Sequence, residues 1–189
     1  NVTEIKPEEL EKISNLKTPN KVVAVINIPS GENININFET DLILVLDQIK
    51  DPGNLGTIIR IADWFGIKNI VCSENTVEVY NPKVIQATMG SISRVKLIYK
   101  NLQEFFGTIP LNIPVYGSFL NGDNIYSSEL TPNGLIIIGN ESKGISDELN
   151  CFINKKITIP SFSVNKSAES LNASIATAII ISEFRRKHN

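Results

Sequence analysis

ITIPSFSVNKSAESLNASIATAIII, residues Ile157–Ile181, divides into three parts of different physical character. Ile157–Ile159 is short, apolar and β-branched. It stops at Pro160, which has no N–H to continue a ladder, so a strand end is predicted there. Ser161–Glu169 is polar and without periodicity, as a loop would be. From Ser170 to about Arg186 the residues suit a helix, with Ser170 as its N-cap. Ala173–Ser182 carries no charge, and a helix that is apolar nearly all round is buried, against a sheet or a second subunit. Strand, polar loop and helix N-terminus in succession make a ligand site in α/β proteins, because the free N–H groups attract anions and polar groups. A polar loop feeding a buried helix occurs in many α/β domains, so this stretch alone names no function.

The same alternation extends towards the N-terminus. Leu42–Leu46 (LILVL) and Gly134–Ile138 (GLIII) are continuous apolar runs, as expected of strands buried on both faces. Further strands are expected at Lys68–Cys72, Val95–Ile98 and Val115–Phe119. Helices are expected at Ile58–Phe65, Asn81–Met89, Leu102–Ile109 and Asp147–Ile153. Asp47–Thr57 (DQIKDPGNLGT) reads as a turn-rich loop. Strands alternating with helices predict an α/β fold: a mostly parallel sheet with helices on both faces. Upstream, Glu4–Leu16 has the apolar spacing of a helix and Lys21–Ile28 (KVVAVINI) is β-rich, while residues 29–37 read as a linker or exposed loop. This N-terminal part is too short to hold a core of its own and looks like the end of something larger.

The chain has 189 residues, 42% hydrophobic and 20% charged, which suits one globular α/β domain and argues against disorder. No apolar run reaches the length of a membrane span, and NVTEIKPEEL lacks the basic-then-apolar pattern of a secretion signal. Two cysteines, Cys72 and Cys151, fit a reduced cytoplasmic protein better than a disulfide scaffold. One histidine, His188, stands in the tail, so histidine-based metal or triad chemistry is not expected. A net charge of −2 argues against a general nucleic-acid binder but leaves room for a local basic patch.

In such a sheet, ligands collect outside the carboxyl ends of the strands, and three polar islands fall there. The first follows LILVL and holds Gly53, Asn54, Gly56 and Arg60. A guanidinium among Ile58, Ile59, Ile61 and Ala62 calls for a carboxylate or phosphate partner, unless it lies on the polar edge of an amphipathic helix. The second, Gly139–Gly144 (GNESKG), lacks the glycine and lysine spacing of a phosphate loop, and Glu141 would repel phosphate. Glu141 is better suited to accepting hydrogen bonds or pairing with Arg60; the bland reading is a capped turn. The third is the loop and helix start around Ser170 and Asn172.

N-x-G-T-x-x-R after one strand, G-x-E-x-x-G after a second and I-P…S-L-N-x-S after a third resemble the SpoU (TrmH-type) branch of the SPOUT RNA methyltransferases. The resemblance covers about Leu42 to Arg186 and includes NPKVIQATMGSISRV (Asn81–Val95). It implies a C-terminal trefoil knot, which periodicity could not have shown. It also implies a homodimer, with S-adenosylmethionine as methyl donor and a ribose 2′-hydroxyl of ribosomal or transfer RNA as acceptor. The sulfonium donor is already activated, so no metal is called for. On this resemblance Arg60 is the catalytic arginine beside the ribose and Asn54 holds its loop or the substrate. Glu141 orients or pairs with Arg60, and Ser170 and Asn172 complete the polar site. Gly139, Ile159 and Leu171 would contact the cofactor, with Ile138 and Gly117 nearby. Residues 1–37 would be the C-terminal remnant of, and linker from, a small RNA-binding domain, and 38–189 the catalytic domain. RNA contact would draw on basic groups such as Lys50, Arg60, Arg94 and Lys143. One departure stands out: the loop SFSVNKSAE is longer than is usual in the family and lacks its common glycine. Two other classes compete, a SPOUT-like module that grips RNA without methylating it and an unrelated nucleotide-binding α/β enzyme. Neither a Walker loop nor G-x-G-x-x-G is present to support the latter.

Overall fold

The computed structural model describes residues 2–14, 18–28, 35–163 and 170–188. The chain forms two compact units, Asn1–Asn33 and Ile34–Asn189. In the first, α1 (Pro7–Ile13) buries none of its residues. Lys21–Ile28, β-rich by composition, is exposed throughout and forms no strand. β-branched residues favour a strand only where there is a ladder to join.

The second unit is built on a six-stranded sheet. Its strands are β1 (Leu42–Leu46), β2 (Asn69–Ser73), β3 (Lys96–Lys100), β4 (Val115–Asn124), β5 (Gly134–Ile138) and β6 (Lys155–Thr158). Their spatial order is β3-β2-β1-β5-β4-β6 and every pairing is parallel. Side chains alternate strictly between two layers. Leu42, Leu44, Leu46, Ile70, Ile136 and Ile138 face one core, packed by α2 (Pro52–Trp64), α3 (Pro82–Thr88) and α5 (Ala173–Arg186). Ile43, Val45, Val71, Leu135 and Ile137 face the other, packed by α4 (Leu102–Gly107) and a 3-10 segment at Asp147–Phe152. Helices on both faces explain why LILVL and GLIII contain no polar residue.

Several boundaries differ from the sequence expectation, each for a local reason. α2 begins at Pro52 rather than Ile58, because the Asp51 side chain caps it by accepting the Asn54 N–H at 2.8 Å and Pro52 suits the first helical position. Gly53 and Gly56 are therefore helical. A Cβ on Gly56 would lie 2.4 Å from the Ala87 Cβ, so this glycine permits the close approach of α2 and α3. α5 is capped by Asn172, not Ser170: its Oδ1 accepts from the N–H groups of Ser174 at 3.0 Å and Ile175 at 3.3 Å. Asp147–Phe152 is a 3-10 segment rather than an α-helix. β4 runs five residues past Phe119, with a register shift against β6 between Ser118 and Asp123. Residues 164–169 of the long loop, Leu16 and residues 29–34 of the linker lie outside the described residues.

The strand order reverses between β1 and β5, where Leu46 pairs with Ile138. The chain thus leaves the sheet at Asp47 and Gly139 side by side, and the crevice at such a reversal is where ligands bind in this architecture. Among the described residues no helix is long and apolar enough to cross a membrane.

The two thiols should differ in chemistry. Cys72 is fully buried and burial pushes its thiol far above the ordinary range, whereas Cys151 is exposed. Iodoacetamide at pH 8 is expected to label one equivalent per native chain, at Cys151, and two after denaturation. Labelling of Cys72 in the native protein at a comparable rate would contradict this packing.

Candidate active site

Three chain segments meet at the carboxyl edge of β1 and β5. Asn54, on the first turn of α2, donates from Nδ2 to Glu141 Oε1 at 2.8 Å. Asn172 donates from Nδ2 to Asn54 Oδ1 at 2.8 Å. Asn172 Oδ1 also accepts from the Ser174 hydroxyl at 2.6 Å. One line of hydrogen bonds therefore runs from the loop after β5, through the start of α2, to the N-terminus of α5. Asn54 supplies both its amide donor and its carbonyl acceptor to the line, which no aspartate or leucine of similar shape could do.

Glu141 sits on a tight turn. Asn140 and Gly144 exchange backbone hydrogen bonds at 2.9 Å in both directions, and Asn140 Oδ1 accepts from the Ser142 and Lys143 N–H groups. Gly139 enters this turn with no room for a side chain: a Cβ would lie 2.3 Å from Gly144 C and 2.4 Å from Ile145 N.

The expected pairing of Glu141 with Arg60 is not formed. Glu141 is bonded to Asn54 instead, and Arg60, exposed on α2, has no ion-pair or hydrogen-bond partner among the described residues. Six residues separate Asn54 from Arg60, roughly 9 Å along the helix axis, so the turn that bonds the first does not meet the second. Ser170 is exposed two residues before the helix cap and makes no side-chain hydrogen bond among the described residues. The structure thus joins Asn54, Glu141 and Asn172 and leaves Arg60 and Ser170 unengaged among the described residues.

The residues expected to hold a cofactor lie at the ends of the neighbouring strands. Gly117 on β4 pairs with Ile137 on β5, and Ser118 pairs with Ile157 on β6. Ile138 is buried, Ile159 half-buried against the core and Leu171 is 48% exposed. At Gly117 a Cβ would come within 2.5 Å of Phe119 and 2.9 Å of Ile153. Gly117 is thus buried, with Phe119 and Ile153 filling the space beside it, while Gly139 is half-buried at the entry to the turn.

Of the basic groups expected near RNA, Arg94 is committed elsewhere. Its guanidinium pairs with Asp63 at 2.7 Å, and that pairing holds the Asp63 carboxyl below the usual carboxylate range. The Lys50 ammonium donates to the Asn75 carbonyl. Arg60 and the side chain of Lys143 are unengaged among the described residues. Sequence reading passed over Asp47, Gln48, Asn140 and Ser146, which brace the turn carrying Glu141. The available signal was a polar pair, Asp47-Gln48, standing directly after a fully buried strand.

Asn172 has two separable duties. Asn172→Asp keeps the acceptor that caps α5 but removes the donor to Asn54; Asn172→Ala removes both. Asn172→Ala should lose about 1 kcal/mol of stability, and Asn172→Asp much less. A thermal melt of the two variants beside the parent checks the difference, and equal losses would show that the cap contributes nothing.

The family described as SpoU rRNA Methylase matches residues 41–182. The chain is 28% identical, over 92% of its length and 68% of the relative, to the 23S rRNA (guanosine(2553)-2′-O)-methyltransferase RlmP of Bacillus subtilis. A solved structure from Porphyromonas gingivalis, assigned to the TrmH family of RNA methyltransferases, superposes with a TM-score of 0.85 at 39% identity, over 94% of this chain and 71% of that one. AviRb of Streptomyces viridochromogenes, a SpoU methyltransferase solved in complex with AdoMet, superposes with a TM-score of 0.82 at 26% identity, over 98% and 73%. The chain spans about two thirds to three quarters of each of these proteins.

Proposed function

Because this chain belongs to the SpoU rRNA Methylase family, we propose that it transfers a methyl group from S-adenosylmethionine to a ribose 2′-hydroxyl of RNA, with ribosomal RNA as the substrate. The observation that carries this reading is the hydrogen-bonded line from Glu141 through Asn54 to Asn172, which unites the three motif segments at the β1–β5 crevice. Relatives acting on ribosomal RNA support the substrate class.

The residues present fit the cofactor. Half-buried Gly139 brings backbone to the crevice where a side chain would collide with the turn, half-buried Ile159 and exposed Leu171 offer apolar surface, and Gly117 and Ile138 are buried. When bound there, the cofactor supplies an electrophilic methyl group on a sulfonium. The chain must supply the rest. A ribose hydroxyl is a poor nucleophile near neutral pH, so it has to be oriented and relieved of its proton as it attacks. Fixing the hydroxyl in line with the methyl removes much of the entropic barrier. Asn54, held at both ends, and the α5 N-terminus behind Asn172 are rigid enough to do this. Arg60 serves by gripping the phosphate next to the target and stabilising the developing alkoxide. Its unengaged guanidinium supports that role.

The reading includes a homodimer and a trefoil-knotted C-terminal segment. Leu171 and Ile175, 48% and 54% exposed on either side of Asn172, support a subunit contact beside the site. The placement of β6 outside β4 accords with the knot. Residues 1–37 are read as the end of an RNA-binding domain and its linker. Work on RNA and two unpaired thiols support a cytoplasmic setting.

Mapping ribose methylation in RNA from cells with and without this protein tests the reading. Loss of one or a few 2′-O-methyl sites in large-subunit ribosomal RNA is expected. Loss confined to transfer RNA would reassign the substrate. Unchanged maps, together with no heat on calorimetric titration of the purified chain with S-adenosylmethionine, would favour an RNA-gripping module.

A further inference from the structure

Gln48 occupies a backbone conformation that glycine adopts more readily. Its φ is +57°, in the left-handed region that side chains disfavour. It stands at the carboxyl end of β1, one residue past buried Asp47. Three of its polar groups are engaged with neighbouring segments. Its N–H donates to Ser73 Oγ at 2.8 Å, at the end of β2. Its carbonyl accepts from Asn140 Nδ2 at 2.8 Å, and its side-chain Nε2 donates to Ser146 Oγ at 2.9 Å. Next to it, Asp47 Oδ2 accepts the Ser146 N–H at 2.7 Å.

These bonds grip both ends of the turn that carries Glu141. Asn140 opens the turn and Ser146 follows its close, so Gln48 holds the frame while Glu141 at the tip meets Asn54. Glycine would satisfy the backbone of this position without strain and could still make the Ser73 and Asn140 bonds, which use the main chain. Only the bond to Ser146 needs the carboxamide. A strained side chain retained where its one separable contribution is a bond to the active-site loop points to function rather than folding.

We propose that Gln48 is a positioning residue for methyl transfer: its carboxamide, through Ser146, fixes the Asn140–Gly144 turn so that Glu141 stays on Asn54. This role presupposes the methyl-transfer reading of the site. It calls for no contact between Gln48 and RNA or cofactor, and it makes the polar crevice between Gln48, Ser73, Asn101 and Ser146 part of the site's scaffold.

The test compares Gln48→Gly, Ser146→Ala and the double variant of the full chain with the parent. Turnover is measured with S-adenosylmethionine and deproteinised large-subunit ribosomal RNA, and backbone hydrogen exchange is measured over residues 140–146. Gln48→Gly should melt at or above the parent temperature, because it relieves the left-handed strain. Its kcat should nevertheless fall about 10- to 100-fold with little change in KM for either substrate, and exchange at Asn140 and Gly144 should quicken. The double variant should be no worse than either single change, since both remove the same bond. Parent-like kcat and exchange in Gln48→Gly would overturn the proposal. So would a fall in kcat that merely tracks a lower melting temperature. A parent that binds cofactor but methylates no RNA would overturn the methyl-transfer reading, and faster exchange in Gln48→Gly would then still support the clamp on the turn.

Discussion

Arg60→Ala is expected to lower kcat for RNA methylation by about 10²- to 10³-fold while leaving the melting temperature and S-adenosylmethionine affinity as they are. The arginine is exposed and bonds to nothing among the described residues, so truncating it opens no cavity and strands no partner. An arginine without a structural partner among the described residues, on the helix that carries Asn54 in its first turn, is available for a ligand that the chain does not itself supply. On the proposed reading that ligand is RNA phosphate in the ground state and, in the transition state, the oxygen losing its proton. The kinetic pattern separates these duties. A rise in KM for RNA with kcat intact would confine Arg60 to binding, whereas a fall in kcat places it in the chemical step. Arg60→Lys should recover little, because an ammonium cannot present the paired N–H groups of a guanidinium. Near-normal turnover in Arg60→Ala and in Asn172→Ala would reject the site as drawn.

Gly139→Ala should have the second largest effect, through geometry alone. The added Cβ would sit 2.3 Å from Gly144 C, 2.4 Å from Ile145 N and 2.5 Å from Gly144 O. All three are backbone atoms of the turn that carries Glu141, so no side chain can swing away to make room. Relief requires breaking the paired hydrogen bonds of Asn140 and Gly144, and overpacking of this kind costs about 1–3 kcal/mol. In a domain of this size the melting temperature should fall by roughly 3–10 °C. Calorimetry should show S-adenosylmethionine affinity weakened by at least about tenfold, the equivalent of 1.4 kcal/mol. Gly107→Ala is the control, since a Cβ there meets nothing within 4 Å. It should melt within about 1–2 °C of the parent. Equal behaviour of the two variants would show that the turn does not need its glycine.

The fold was legible in the sequence where burial is symmetric. LILVL and GLIII are covered on both faces, and a strand so covered has no polar position to disguise it. The alternation of elements carried the parallel sheet, because parallel strands need crossovers and the helices filled them. The segments of the site were legible because each polar island follows a strand. Legibility failed where a side chain, rather than a pattern, sets the structure. DPGNLG has the glycine and proline content of a loop, yet Asp51 caps it into helix and Gly56 is there for contact with α3. Ser170 and Asn172 are both good caps by type, and only the bonds of Asn172, to the Ser174 and Ile175 N–H groups and to Asn54, distinguish them. The match of Glu141 to Arg60 followed charge, whereas the fold placed an amide nearer. Gln48 was invisible because a left-handed glutamine has no periodic or compositional signature.

The most direct measurement supplies the purified chain with methyl-tritiated S-adenosylmethionine and deproteinised large-subunit ribosomal RNA, then digests the RNA to nucleosides. Label is expected in a 2′-O-methylnucleoside and should vanish with Arg60→Ala. Label on a base, or none in RNA from a chain that binds the cofactor, would contradict the account.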